Sequence, residues 1–194
     1  MHLFAKKTSI VFIYPPIYIL NKHRIIYSKI IRYICHMKEK RLEISYQIYA
    51  FDELNVEDKR LINAAMEATR RSYAPYSHFH VGAAALLEND MIVTGSNQEN
   101  VAYPSGLCAE RTTLFYANSQ YPDIAIKALA IAACDKNGTP SANIISPCGA
   151  CRQVMLETEK RFGKPMKILL CSSEEVYIVE GVTQLLPFAF SEIS

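Results

Sequence analysis

Two short segments, Cys108-Ala109-Glu110 and Pro147-Cys148-Gly149-Ala150-Cys151, constrain this chain more than any other feature. Three thiols from distant parts of the sequence must converge if they are to serve one ion. A hydrolytic zinc site needs three protein ligands and leaves the fourth position to water. An acid beside the first ligand can then move protons to and from that water and a bound substrate. By itself, the Cys148-x-x-Cys151 spacing also suits a thiol redox pair. Cys108 shifts the balance, because it opens an apolar-periodic run through Leu114, Phe115 and Ala117 that reads as a helix. A second run, Val154-Met155-Leu156, follows Cys151 in the same way. Both thiol groups are therefore expected at helix starts, where free N–H groups and the dipole favour thiolate.

A closed four-thiolate site would need a further cysteine. Cys134 and Cys171 each end an apolar, strand-like run and read as small buried hydrophobes, and Cys35 lies outside the body of the chain. The expectation is a three-thiolate Zn²⁺ site with one ion per chain. Three thiolates on Zn²⁺ leave one net negative charge, which a nearby cation should offset. Arg111 and Arg152 directly follow the acid and the last cysteine, so either guanidinium is a candidate donor to a ligand sulfur, with Arg111 the favoured one. The same arginines also suit ordinary exposed helix positions. Metal-type spacing further suggests a reducing compartment rather than disulfides.

The charge is divided unevenly. Residues 1–36 hold six Lys or Arg and no acid, which leaves 15 basic against 19 acidic residues in the rest. A mildly acidic body has no footprint for gripping a polyanion, so no nucleic-acid partner is expected. The leader carries Lys6-Lys7 and an apolar stretch from Ile10 to Leu20. Pro15-Pro16 interrupts that stretch and no small-x-small cleavage site follows, so neither a signal peptide nor a membrane span is expected. The preferred reading has residues 1–36 as a dispensable leader, a start at Met37, and a single domain over 37–194.

The body reads as alternating elements. Leu61, Ile62, Ala65, Met66 and Thr69 recur at helical spacing within 56–71, with Asn55 as the cap. Residues 81–87 and 91–94 read as a hairpin about Glu88-Asn89-Asp90. Residues 125–133 and 167–170 read as strands, 176–179 as an edge strand, and Gly181-Val182 as the opening of a short terminal helix. Alternation of this kind predicts an α/β sandwich. Asn97 and Glu99 would point the same way if a strand continued through them, and an amide with a carboxylate can serve one hydroxyl. From spacing alone, loop polarity explains them equally well. Phe79 reads equally as core, and His78 and His80 beside it as structural or solvent-facing.

Five motifs, in order, resemble the cytidine deaminase family, in its small, homotetrameric, three-cysteine branch. They are Tyr73-Ala-Pro-Tyr-Ser-His-Phe-His-Val-Gly-Ala-Ala84, Gly95-Ser-Asn-Gln-Glu-Asn100, Tyr103-Pro-Ser-Gly-Leu-Cys-Ala-Glu-Arg-Thr112, Ser146-Pro-Cys-Gly-Ala-Cys-Arg-Gln153 and Leu185-Leu-Pro-Phe-Ala-Phe190. The resemblance implies a three-layer α/β/α sandwich around a mixed five-stranded sheet. It implies zinc on Cys108, Cys148 and Cys151, and Glu110 as proton shuttle. Phe79 would stack on the base, Asn97 and Glu99 would bind the ribose, and Ala109 and Ser146 would meet the base through their backbones. Val101, Tyr103 and Phe190 would reach a neighbouring subunit's pocket; Val101 stands where the family often has alanine. The implied activity is hydrolytic deamination of cytidine and 2′-deoxycytidine in pyrimidine salvage, by zinc-bound hydroxide attack at C4, in the cytoplasm. A blasticidin-like nucleoside as substrate, a non-catalytic zinc or nucleoside-binding module, and a thiol oxidoreductase are the competing readings.

Overall fold

The computed structural model describes residues 40–191. The expected leader over 1–36 and the start at Met37 lie outside the described residues.

The first helix, α1 (Val56–Thr69), starts where Asn55 accepts a hydrogen bond from the Asp58 N–H at 2.8 Å. That bond satisfies one of the free donors of the first turn. Leu61, Ile62, Ala65, Ala68 and Thr69 form its buried stripe. It ends two residues before the expected Arg71, in a turn that returns the Arg71 N–H to the Ala68 carbonyl.

Among the described residues six strands form one sheet: β1 (Gln47–Ala50), β2 (His80–Leu87), β3 (Ile92–Ser96), β4 (Ile126–Cys134), β5 (Lys167–Cys171) and β6 (Glu175–Glu180). Their order is β1-β6-β5-β4-β2-β3, with β4 and β5 parallel and every other pair antiparallel. The expected count of five is corrected to six. The extra strand is β1, too short and too exposed to carry an alternating apolar signal. Its pairing with β6 also places 176–179 inside the sheet rather than at its edge. The terminal helix shortens to a 3-10 turn at Val182–Gln184.

Helices pack on both faces of the sheet. Ala84, Ala128, Ala130 and Ala132 sit beneath α1. A β-carbon at Gly82 would lie 2.1 Å from the Ala65 carbonyl oxygen, so only glycine lets α1 come this close to β2. The opposite face carries Leu87, Leu129, Ile131, Ile168 and Leu170. Against these pack α2 (Ala109–Gln120) through Leu114 and Ala117, and α3 (Gly149–Phe162) through Cys151, Met155 and Leu156. The result is helix, sheet, helix in three layers. It brings the starts of α2 and α3 together, which is what the cysteines require.

Candidate active site

Cys108 and Cys148 are the residues that cap α2 and α3, and Cys151 lies in the first turn of α3. Neither capping thiol closes its own helix, so both sulfurs are free to face each other. The sulfurs of Cys108 and Cys148 are 3.8 Å apart, those of Cys148 and Cys151 are 3.3 Å apart, and all three lie within 4.8 Å of one another. Bonds of about 2.3 Å meeting at the tetrahedral angle put thiolate sulfurs about 3.8 Å apart. The donor set and its spacing fit a single zinc ion.

Cys108 accepts from Cys151 and Arg111, which together outweigh its partial burial and hold it down to about 5. Cys151 is pushed up by donating to Cys108, by burial and by the Glu110 charge. A set holding one ready thiolate exchanges its remaining protons for a cation on metal binding. Arg111 Nη2 points at Cys108 Sγ at 3.8 Å, and its buried Nε has no partner among the described residues. That cation stands where the excess charge of three thiolates would fall. Arg152 behaves differently from the sulfur donor considered above. Its three hydrogen bonds go to oxygens: the Pro147 carbonyl at 2.8 Å, the Leu185 carbonyl at 2.6 Å and Ser146 Oγ at 2.9 Å.

Glu110 is buried at the start of α2, only 5% exposed. Burial raises its pKa above the ordinary carboxylate range, and the negative charge on Cys108 pushes the same way. A carboxyl kept from water beside a metal-type cluster suits the taking and returning of a proton.

A cavity of about 270 Å³ opens beside Cys108, lined among others by Asn97, Glu99, Tyr103 and Arg111. Glu99 Oε2 accepts from the Tyr76 and Ser77 N–H groups, and Oε1 accepts from the Ser77 hydroxyl at 2.5 Å. These bonds, led by Ser77, lower its pKa and keep it ionised. Asn97 Oδ1 accepts from Val81 N–H and Ser72 Oγ, while its Nδ2 donates to the Phe79 carbonyl. Asn97 therefore spends most of its bonding capacity on the scaffold, which spacing alone did not reveal. One amide N–H and one carboxylate lone pair remain for a ligand. Ser72, Tyr76 and Ser77 escaped sequence reasoning. The sign available was the Pro75-Tyr76-Ser77 turn, a stretch where a hydroxyl is well placed to bond nearby backbone.

Phe79 stands partly exposed just before β2, His78 adopts a left-handed backbone beside it with φ 56°, and His80 begins β2. Ala109 is buried in the first turn of α2, and Ser146 is held by Arg152. Val101, Tyr103 and Phe190 are 78%, 77% and 69% exposed. Tyr103 lines the cavity next to Cys108, whereas Phe190 borders a separate groove with Phe115 and Gln153.

Fold and site together define a three-layer α/β protein whose two facing helix starts could hold one zinc ion next to a buried acid. Comparison with known proteins gives that class a family. The family model for the zinc-binding region of cytidine and deoxycytidylate deaminases matches residues 55–162. A cytidine deaminase of Halalkalibacterium halodurans is 39% identical over 140 residues, covering 68% of this chain and 92% of its own length. One from Sporosarcina psychrophila is 41% identical over 134 residues, covering 69% and 91%. The crystal structure of cytidine deaminase from Burkholderia pseudomallei superposes with a TM-score of 0.58 at 37% identity, covering 68% of this chain and 97% of that one. The chain belongs to the cytidine and deoxycytidylate deaminase family. Among the described residues no helix is long and apolar enough to cross a membrane.

Proposed function

We propose that this chain catalyses the hydrolytic deamination of cytidine and 2′-deoxycytidine to uridine and 2′-deoxyuridine, releasing ammonia. The observation that carries the reading is the buried Glu110 carboxyl at the rim of three converging sulfurs. Cys108, Cys148 and Cys151 would hold zinc, which when bound supplies an activated water and a Lewis acid. Glu110 takes a proton from the attacking water and delivers it to N3 as the C4–O bond forms. It then carries the hydroxyl proton to the amino nitrogen, the C4–N bond breaks, and ammonia leaves. Its burial keeps bulk water from competing for that proton. Phe79 offers a ring face to the base. The remaining Asn97 N–H and the Glu99 carboxylate suit a sugar hydroxyl, which accepts from one and donates to the other. Backbone groups of Ala109 and Ser146 would meet the base edge.

The assembly that fits is a homotetramer with shared pockets. Val101, Tyr103 and Phe190 are all exposed, as residues that reach a neighbouring subunit's pocket would have to be in a single chain. The described cysteines are all free thiols, which suits the reducing cytoplasm.

Loss of cytidine absorbance, with uridine appearing, tests the activity. Glu110→Gln should retain zinc and lose about 10²–10⁴-fold in turnover, the range of general acid–base catalysis. Equal rates for the variant and the parent chain would end the proposal. Running cytosine, dCMP and adenosine in the same assay defines the substrate class, and gel filtration of the active species tests the tetramer.

A further inference from the structure

The two helix starts that carry the sulfurs are built into the fold unequally. Cys108 follows a segment closed by backbone bonds: Gln98 and Leu107 exchange two N–H···O bonds of 2.9 Å. Cys148 follows residues 135–147, which form no helix and no strand longer than a single bridge. The last residues of that loop, Ser146 and Pro147, are gripped by one side chain, Arg152. The same guanidinium reaches the Leu185 carbonyl, across 33 residues of sequence.

Other α3 side chains extend that grip along the C-terminal segment. Glu159 accepts from Val182 N–H at 2.9 Å, Gln153 donates to the Phe190 carbonyl at 2.8 Å, and Lys160 donates to the Ser191 carbonyl. Residues 182–191 are thereby strapped to α3. Arg152 is the member of this set that also holds the loop entering Cys148. A planar fork with donors on three nitrogens can serve two segments at once, which a lysine ammonium on a flexible stem cannot do in the same geometry.

We infer that Arg152 is a positioning residue that locks the Cys148 sulfur in place by tying its loop to the Leu185 carbonyl, so that zinc retention depends on the C-terminal segment being docked at Leu185. Arg152 contacts no sulfur in its hydrogen bonds and acts on the metal only through the loop. Coupling of this kind runs both ways, so zinc should also tighten the segment. The inference rests on the three sulfurs holding zinc.

The test uses the full zinc-loaded chain and follows zinc transfer to a chromophoric chelator, with melting curves run in parallel. Arg152→Ala should release zinc at least about 10-fold faster, the lower end of what loss of an outer-sphere partner costs in metal affinity. Arg152→Lys, which keeps the charge and loses the fork, should also be faster. Gln153→Ala, which frees only the Phe190 carbonyl, should stay within about twofold of the parent chain. In Co²⁺-loaded protein, both Arg152 variants should shift the thiolate-to-cobalt absorption, which general loss of stability would leave alone. Amide exchange across residues 185–191 should rise when zinc is removed from the parent chain. It should already be raised in Arg152→Ala with zinc bound.

Should Arg152→Ala fail to fold, Arg152→Lys decides: release and cobalt spectrum equal to the parent chain would overturn the role. So would a folded Arg152→Ala that melts earlier yet releases zinc at the parent rate, or a Gln153→Ala effect as large as that of Arg152→Ala. A parent chain that binds no zinc would sink the metal site itself. A parent chain that binds it, with variants that release it unchanged, would sink only the part assigned to Arg152.

Discussion

Cys108 and Cys148 occupy equivalent places at the starts of α2 and α3, yet the chain reaches them by different routes. The approach to Cys108 is pinned by main-chain bonds between Gln98 and Leu107, and α2 presses so tightly on β3 that only glycine fits at position 95. The approach to Cys148 is an irregular loop held by a side chain, and Gly149 beside it has open space around it. Main-chain bonds survive most substitutions, because every residue but proline carries the same donor and acceptor. A side-chain strap fails with one mutation. The two halves of the site are chemically alike and unequally robust.

The most severe challenge to this comparison is removal of the sulfurs themselves. Cys108→Ala and Cys148→Ala should each leave two thiols, abolish stoichiometric zinc by metal analysis, and lower turnover by more than about 10³-fold, since a catalytic metal contributes several kcal/mol. A variant that kept its zinc would show that the sulfurs are not equivalent ligands.

A smaller effect separates the scaffolds. In Gly95→Ala the new β-carbon would sit 2.6 Å from Thr113 Oγ1 and 2.8 Å from the Thr113 nitrogen. The helix must shift, at a cost of about 1–3 kcal/mol, read as a lower melting temperature. Gly149→Ala meets nothing within 4 Å and should leave stability unchanged or raise it by up to about 1 kcal/mol, because alanine suits a helix better than glycine. Equal melting temperatures for the two variants would erase the contrast between tight and open helix starts.

The gentlest probe is pH. Burial raises Glu110 above its ordinary value of 4.5, so at mildly acid pH the folded metal-free chain holds a proton that the unfolded chain has released. Stability of the metal-free protein should therefore be greatest below about 4.5 as far as this group is concerned. It should fall as pH rises through the folded-state pKa. Glu110→Gln should flatten that part of the denaturation profile. An unchanged slope would mean that the carboxyl is better hydrated than its burial suggests.

Much of this was legible from local patterns. The Asn55 cap, the α1 stripe, the hairpin around Asn89 and both helix starts follow from periodicity and turn chemistry, forces that act within a few residues. The β1 strand was not legible, because four mostly exposed residues carry no alternation and pair only once β6 exists. The same absence made β6 read as an edge. Asn97 shows the limit at the site: its side chain serves Ser72, Phe79 and Val81, partners that no spacing rule connects.

What the amino-acid order determined by itself was the inventory: three thiols and an acid placed where helices begin, glycines where backbones must meet, and apolar residues repeating at the period of each element. Tertiary structure decided the assignments within that inventory. It gave Arg111 to a sulfur and Arg152 to three oxygens, although each follows a functional residue by one position. The reason is geometric. Local sequence sets a side chain's direction relative to its own helix, whereas its partners come from segments tens of residues away, whose positions depend on the packing of the whole sheet.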